Sequence, residues 1–121
     1  MTRLALIVED ELPLRIFYES VLGKLGFEVM HAADGEEAIH ILTNYSPAVV
    51  FLDMLLPRVD GRQVLAFIHS APHLTGTAAV VITAHSRYQH LLSLAPQDQF
   101  LLKPVRPRDI QDAVRRILVA R

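Results

Sequence analysis

The sequence predicts an α/β domain in which a doubly wound, five-stranded parallel sheet carries five helices on its two faces. Five short apolar runs alternate with five segments whose apolar residues recur at helical spacing. The third run, from Ala48 to Leu52, consists of five apolar residues and is typical of a strand buried on both faces. The first, third and fourth runs are the most apolar and should be central. With right-handed crossovers, this favours the strand order 2-1-3-4-5.

The first half of the chain contains two strand runs and the helix between them. The run from Arg3 to Val8 is a predicted strand that ends in acidic residues, and Pro13 follows where the first turn of a helix tolerates proline. Gly26 is predicted to end that helix. The mixed run 27–33 has fewer apolar residues, so it is predicted to be an edge strand.

Capping patterns predict where later helices begin. Asp34 with Glu37, and Asp60 with Gln63, have the spacing of a capping box, in which the first side chain accepts the backbone N–H three residues on. Pro107 is predicted to open the last helix, whose apolar residues share one face.

Length and composition restrict the class of protein. A chain of 121 residues, 51% of them hydrophobic, is predicted to form one domain over residues 1–121 with a substantial core. The absence of cysteine excludes disulfides and thiolate chemistry, and it is compatible with the cytoplasmic location that we predict. The net charge of −1 argues against direct nucleic-acid binding. No apolar run approaches the length of a membrane span, and the first run is too short for a signal peptide.

Polar side chains stand at the ends of four of the five predicted strands. Glu9 and Asp10 follow the first strand, Asp53 the third, Thr83 the fourth and Lys103 the fifth. In an open parallel sheet, the carboxyl ends of the strands form the edge where ligands bind. The predicted strand order would therefore gather these five side chains into one site.

The residue types in this group indicate phosphoryl chemistry. Three clustered carboxylates, Glu9, Asp10 and Asp53, repel one another, and a hard divalent cation such as Mg²⁺ relieves that repulsion. A carboxylate beside a magnesium ion and a lysine can act as a nucleophile toward phosphorus. The cation and the Lys103 ammonium would neutralise the phosphoryl oxygens, and the Thr83 hydroxyl would donate to one of them.

Four motifs together resemble those of the receiver domain of two-component response regulators, and the resemblance covers essentially the whole chain. They are the acidic group 8–11, the segment 53–61 with its aspartate, proline and Asp-Gly, the pair Thr83-Ala84, and the pair Lys103-Pro104. The resemblance implies a flavodoxin-like fold and a signalling switch activated by phosphorylation. It also implies that the domain catalyses its own phosphorylation and slow self-dephosphorylation.

The resemblance also implies a role for each site residue. Asp53 is expected to accept a phosphoryl group from the phosphohistidine of a sensor histidine kinase or phosphotransfer protein. Asp10, Asp53 and the backbone carbonyl of Leu55 are expected to bind Mg²⁺ directly, and Glu9 is expected to reach the ion through water.

Further implied features concern the response to phosphorylation. Thr83 and Phe100 are expected to be the switch pair, in which the ring moves inward as the threonine is drawn to the phosphoryl group. A cis peptide bond is expected before Pro104, because proline makes that isomer accessible. Phosphorylation is expected to change a partner-binding face, and a homodimer through the last helix region is possible under this resemblance.

One region departs from the family pattern. Thr83 and Lys103 lie 20 positions apart, a spacing shorter than the family's by about two residues, and the small pair usual before the last strand is replaced within 95–99. The fourth helix, predicted over Ser86 to Leu94, is therefore expected to be shortened or rebuilt.

Two other functions are weighed against the switch. A phosphate-ester hydrolase of a related fold usually carries a second aspartate two residues after the nucleophile, but this chain has Leu55 there. A docking scaffold without phosphorylation usually lacks the acidic pair (here Glu9 and Asp10), the acceptor Asp53 or Lys103, and this chain has all of them. His85, two residues after Thr83, is either a solvated loop residue or a residue that controls water at the site.

Overall fold

The computed structural model describes residues 3–54 and 60–119. Within them, all five strands run parallel in the order β2-β1-β3-β4-β5. The strand order predicted from apolar content is therefore confirmed. The strands are β1 (Arg3–Val8), β2 (Phe27–Ala32), β3 (Val49–Asp53), β4 (Ala78–Thr83) and β5 (Gln99–Leu102).

Helices follow the strands and cover both faces of the sheet. Their connections follow the alternation read from the sequence, with a 3-10 turn (Pro72–Leu74) inserted before β4. The helices are α1 (Leu12–Lys24), α2 (Gly35–Asn44), α3 (Gly61–Ser70), α4 (Tyr88–Leu91) and α5 (Pro107–Val119).

Two apolar cores lie on opposite faces of the sheet. On one face α1 and α5 pack against the sheet, and on the other α2, α3 and the short α4 do so. Alternate residues of β1, β3 and β4 point into the two cores, so these strands are buried on both faces. β5, by contrast, lies at the sheet edge, and each of its residues retains some exposure.

Local signals set several helix ends. Asp60 accepts from the N–H groups of Arg62 and Gln63, and the Gln63 side chain accepts from the Asp60 N–H, which confirms that capping box. Asp34 caps α2 by accepting from the Glu37 N–H at 2.8 Å. After α1, Gly26 has φ = 93°, a left-handed conformation that glycine adopts without strain.

The fourth helix is shorter than the segment that the sequence predicts. Its regular part spans four residues, Tyr88–Leu91, instead of Ser86 to Leu94. The N–H groups of Tyr88, Gln89 and His90 bond carbonyls three residues back, which is 3-10 geometry, and Leu92 is already extended. The N-cap has no side-chain hydrogen bond, so the segment has little to support a longer helix. The expected shortening of this helix is thus confirmed.

Candidate functional site

Three carboxylates meet at the carboxyl ends of β1 and β3. Glu9, Asp10 and Asp53 each offer an oxygen atom, and these atoms all lie within 4.8 Å of one another. Glu9 is 1% exposed and Asp53 7%, whereas Asp10 is open to solvent. The group therefore combines two buried acids with one that a solvated ion can approach.

Glu9 is a buried acid whose oxygens have different surroundings. Its Oε2 accepts the N–H of Glu11 at 3.2 Å, while its buried Oε1 has no hydrogen-bond partner. The Lys103 Nζ lies 3.8 Å from Oε1, beyond hydrogen-bond distance. Burial, and then the charge of Asp53, raises the pKa of Glu9 to about 7. A buried oxygen without a hydrogen bond, next to two further acids, is the donor arrangement that a divalent cation satisfies.

Lys103 supplies the positive charge of the site. Its Nζ donates to Asp53 Oδ2 at 3.0 Å. Burial lowers the pKa of Lys103, but the hydrogen bond to Asp53 and the charges of Asp53 and Glu9 outweigh burial, so the pKa is raised. Its backbone N–H donates to the Thr83 carbonyl at 2.8 Å, and the peptide bond to Pro104 is cis. The lysine is thus bonded to the ends of both β3 and β4.

Thr83 ends β4 and is buried beside this group. Its hydroxyl oxygen accepts the His85 N–H at 3.1 Å, which links the residue to the β4–α4 loop. Phe100, on β5, is half-buried and packs against the core that contains α3 and α4. His85 helps to line an open cavity of about 290 Å³, and its ring meets that of Tyr88 edge-on, with centroids 6.4 Å apart.

The structure adds two residues whose contribution to the site the sequence pattern did not reveal. Gly61 lies against the end of β3, where an added Cβ would stand 2.7 Å from Met54 Cα and 2.8 Å from the Asp53 carbonyl oxygen. Tyr18 is a buried residue of α1, and its ring lies tilted against that of Phe51, two residues before Asp53, with centroids 6.0 Å apart. Burial and the nearby carboxylates, Glu9 foremost, raise the pKa of its phenol.

Five of the residues predicted for the site lie together in the structure. Glu9, Asp10, Asp53 and Lys103 are close together, and Thr83 bonds to Lys103 through its backbone. Leu55 lies outside the described residues, so its carbonyl remains a predicted metal ligand.

A scan against family models matches the response regulator receiver domain over residues 5–115. The chain belongs to this family. The family consists of phosphoacceptor domains of two-component signalling, and the fold and site of this receiver domain agree with that membership.

Curated relatives support the same assignment. The receiver domain is 33% identical over 116 residues to the positive alginate biosynthesis regulatory protein of Pseudomonas aeruginosa, covering 92% of this chain and 45% of that protein. It is 29% identical to the "Probable transcriptional regulator ycf27" of Porphyridium aerugineum, covering 93% of this chain and 47% of the relative. The chain therefore spans about half the length of these relatives.

Solved structures have the same architecture. The bacteriophytochrome response regulator AtBRR is 31% identical with a TM-score of 0.82, and the match covers 98% of this chain and 94% of that one. The chemotaxis response regulator CheY4 of Vibrio cholerae superposes with a TM-score of 0.86 at 22% identity, and the match covers 97% of this chain and 99% of that one, which shows a shared fold. Among the described helices, none is both long and apolar enough to cross a membrane.

Proposed function

We propose that this receiver domain is a signalling switch in which Asp53 accepts a phosphoryl group from a phosphohistidine in a magnesium-dependent step. The observation that carries the proposal is the position of Asp53. It is a buried carboxylate at the end of a central strand, hydrogen-bonded by Lys103 Nζ and clustered with Glu9 and Asp10. This is the arrangement that a carboxylate nucleophile toward phosphorus requires.

In the proposed step, an oxygen of Asp53 attacks the phosphorus atom as the phosphorus–nitrogen bond to the donor imidazole breaks. The imidazole leaves with the bonding electron pair and takes up a proton, while Asp53 becomes an acyl phosphate. Lys103 holds its ammonium against the acceptor and neutralises phosphoryl oxygens as charge gathers on them. The Thr83 hydroxyl then donates to one of those oxygens.

Magnesium fits the acidic group of this chain. We assign direct binding to Asp10, Asp53 and the Leu55 carbonyl, and binding through water to Glu9. The assignment is supported by the Glu9 Oε1, which has no hydrogen bond and which a hydrated ion would satisfy, and by the exposed Asp10, past which the ion would reach the site. A sensor-kinase receiver domain of Pseudomonas aeruginosa, 22% identical, was solved with magnesium in its active-site cleft. When bound, the ion supplies charge that stabilises the transferring phosphoryl group.

The output of the proposed switch begins at Thr83. Drawing its side chain to the phosphoryl group would compete with the bond from the His85 N–H, and so move the β4–α4 loop. Phe100 would then turn inward beside the short α4. The proposed partners are a sensor histidine kinase or phosphotransfer protein and an effector that reads this face, in the cytoplasm, with a homodimer through the last helix region as one form of output.

Intact mass spectrometry tests the proposal. Incubation with Mg²⁺ and a small phosphodonor such as acetyl phosphate should add one phosphoryl mass to the wild-type protein, and chelation should prevent the addition. Asp53→Asn should abolish the main adduct, whereas Asp112→Asn, at a half-buried aspartate of α5 that is ion-paired with Arg115, should retain it. An adduct at full yield in Asp53→Asn would assign the acceptor elsewhere.

A further inference from the structure

The feature that carries a further inference is a buried carboxylate at the start of β5. The side chain of Asp98 is fully buried and makes three short contacts. Its Oδ1 accepts the Ala79 N–H at 2.8 Å, its Oδ2 accepts the Ala95 N–H at 2.9 Å, and His69 Nε2 lies 2.8 Å from the same Oδ2. A carboxylate has no proton to donate, so the imidazole N–H is the donor. Three elements thus converge on one side chain: β4, the loop before β5, and the last turn of α3.

The bond to Ala79 extends the pairing of β4 with β5 by one residue, before the first backbone pair of these two strands. The β4–β5 register begins with Val80 opposite Gln99, and the Ala79 N–H lies one step before it. The Asp98 carboxylate takes the place of a backbone carbonyl there. At the other end of the strand, the Lys103 N–H bonds the Thr83 carbonyl. β5 is therefore fastened to β4 at both ends.

This fastening matters because β5 has few other contacts, which are its four-residue pairing with β4 and the packing of Phe100 and Leu101 against the two cores. The strand has four residues, lies at the edge of the sheet and packs mainly against β4, while α4 is a single turn. Yet β5 positions two residues of the proposed switch: Phe100 lies on it, and Lys103 follows its last residue. Phe100 is two residues after Asp98 and shares its face of the strand.

We propose that His69 is a positioning residue that acts through Asp98. The pair forms a clamp between α3 and the start of β5, and the clamp takes over the support that a longer fourth helix would give. Lys103 and Phe100 depend on the clamp, whereas Glu9, Asp10 and Asp53 do not, because they are held by β1 and β3. This inference rests on the proposed function only for its effect on phosphorylation; the clamp itself is a property of the unphosphorylated protein.

Amide hydrogen exchange in the metal-free, unphosphorylated protein tests the clamp directly. His69→Ala should speed exchange of the Ala79 and Ala95 amides about tenfold, the effect of losing one hydrogen bond to a charged group. The Leu6 amide of β1, a central strand, should speed by no more than the loss of global unfolding free energy measured by denaturant. His69→Gln, whose amide can donate to the same oxygen, should restore most of the protection. His40→Ala, at an exposed helical histidine, should change none of these rates. Unchanged exchange at Ala79 and Ala95 in His69→Ala would overturn the clamp.

Phosphorylation kinetics test the positioning role. His69→Ala should lower the phosphorylation rate several-fold at saturating Mg²⁺ and acetyl phosphate, while the Mg²⁺ affinity stays as in the wild type. A loss of Mg²⁺ affinity in step with the rate would show general destabilisation and overturn the role, and so would an unchanged rate. If the wild-type protein takes up no phosphoryl group, the proposed function fails, and the exchange experiment still decides the clamp.

Discussion

The two halves of the site are held in different ways. The acidic half lies at the ends of β1 and β3, central strands whose side chains fill both apolar cores. The half with Thr83 and Lys103 reaches the sheet edge, where β5 is partly exposed along its whole length and is fastened by individual hydrogen bonds. Hydrophobic burial is spread over many contacts, but a hydrogen bond is lost with a single atom. Substitutions in the acidic half should therefore change charge and binding without moving the fold, whereas substitutions at the edge should move the residues they support.

The largest effect expected in the acidic half is a pH dependence of stability caused by Glu9. Its pKa is about 7 in the folded protein and about 4.5 when unfolded, so the folded state holds a proton that the unfolded state releases. Stability from this group is complete below pH 4.5 and falls as pH rises through 7, by about 3 kcal/mol in total. Denaturant unfolding with chelator present, from pH 4.5 to 8, measures this fall.

Glu9→Gln is the matched control for that slope. The amide cannot ionise, so the difference in unfolding free energy between variant and wild type should grow from pH 4.5 and level off above pH 7. Parallel pH profiles for the two proteins would show that Glu9 ionises in the folded protein as it does in water.

The next effect is on metal binding. Asp10→Ala removes an exposed acid of the cluster and should weaken Mg²⁺ binding by about 100-fold, since even the loss of groups that only orient metal ligands costs about 10–100-fold. The fold should be retained, because Asp10 is not part of either core. Calorimetric titration with Mg²⁺ measures the affinity. Asp112→Ala, on helix α5, is the control. Equal Mg²⁺ affinities for the wild type and both variants would remove Asp10 from the site.

The same division explains what the sequence could predict. The strand order and the two-faced core followed from the apolar runs, because central parallel strands are buried on both sides and leave a continuous pattern. The gathering of Glu9, Asp53 and Lys103 followed from strand ends. The three bonds to Asp98 could not be predicted from the sequence, because a short edge strand has no periodic signal and His69 precedes Asp98 by 29 positions.

Residue-level packing was equally outside the reach of the sequence pattern. Asp60-Gly61 predicts a helix start, and the capping box confirms it. The pattern does not show that α3 begins in contact with the end of β3, where only a hydrogen atom fits between Gly61 and the backbone of Asp53 and Met54. That contact depends on the tertiary position of two elements, which spacing along the chain does not encode.

Gly61→Ala should therefore destabilise the protein, by about 2 kcal/mol, because the new methyl group would press on backbone atoms that side-chain rotation cannot move. Gly23→Ala is the matched control: its Cβ would meet nothing within 4 Å in α1, and the change should stabilise the helix by about 0.5–1 kcal/mol. Unfolding by denaturant compares the two variants with the wild type. A Gly61→Ala protein as stable as Gly23→Ala would mean that α3 shifts freely against β3.

The smallest effect expected is on the lifetime of the phosphorylated state. Hydrolysis requires a water molecule in line with the bond between phosphorus and Asp53, and the positions two after Asp53 and two after Thr83, Leu55 and His85, are predicted to flank that approach. Leu55 offers no hydrogen bond to orient water, so self-dephosphorylation should be slow to intermediate. Leu55→Asn should speed it by less than about tenfold, since one positioned hydrogen bond contributes on the order of 1 kcal/mol.

His85 is the companion test at the edge half of the site. Its N–H is bonded to Thr83 and its ring meets Tyr88, so the side chain is directed by the β4–α4 loop. If the imidazole orients water, His85→Ala should slow the decay of the phosphorylated protein, also by less than about tenfold, when decay is followed by intact mass at saturating Mg²⁺ without phosphodonor. An unchanged rate in His85→Ala would make His85 a loop residue that only packs, and an unchanged or lower rate in Leu55→Asn would contradict the role of Leu55 as the brake.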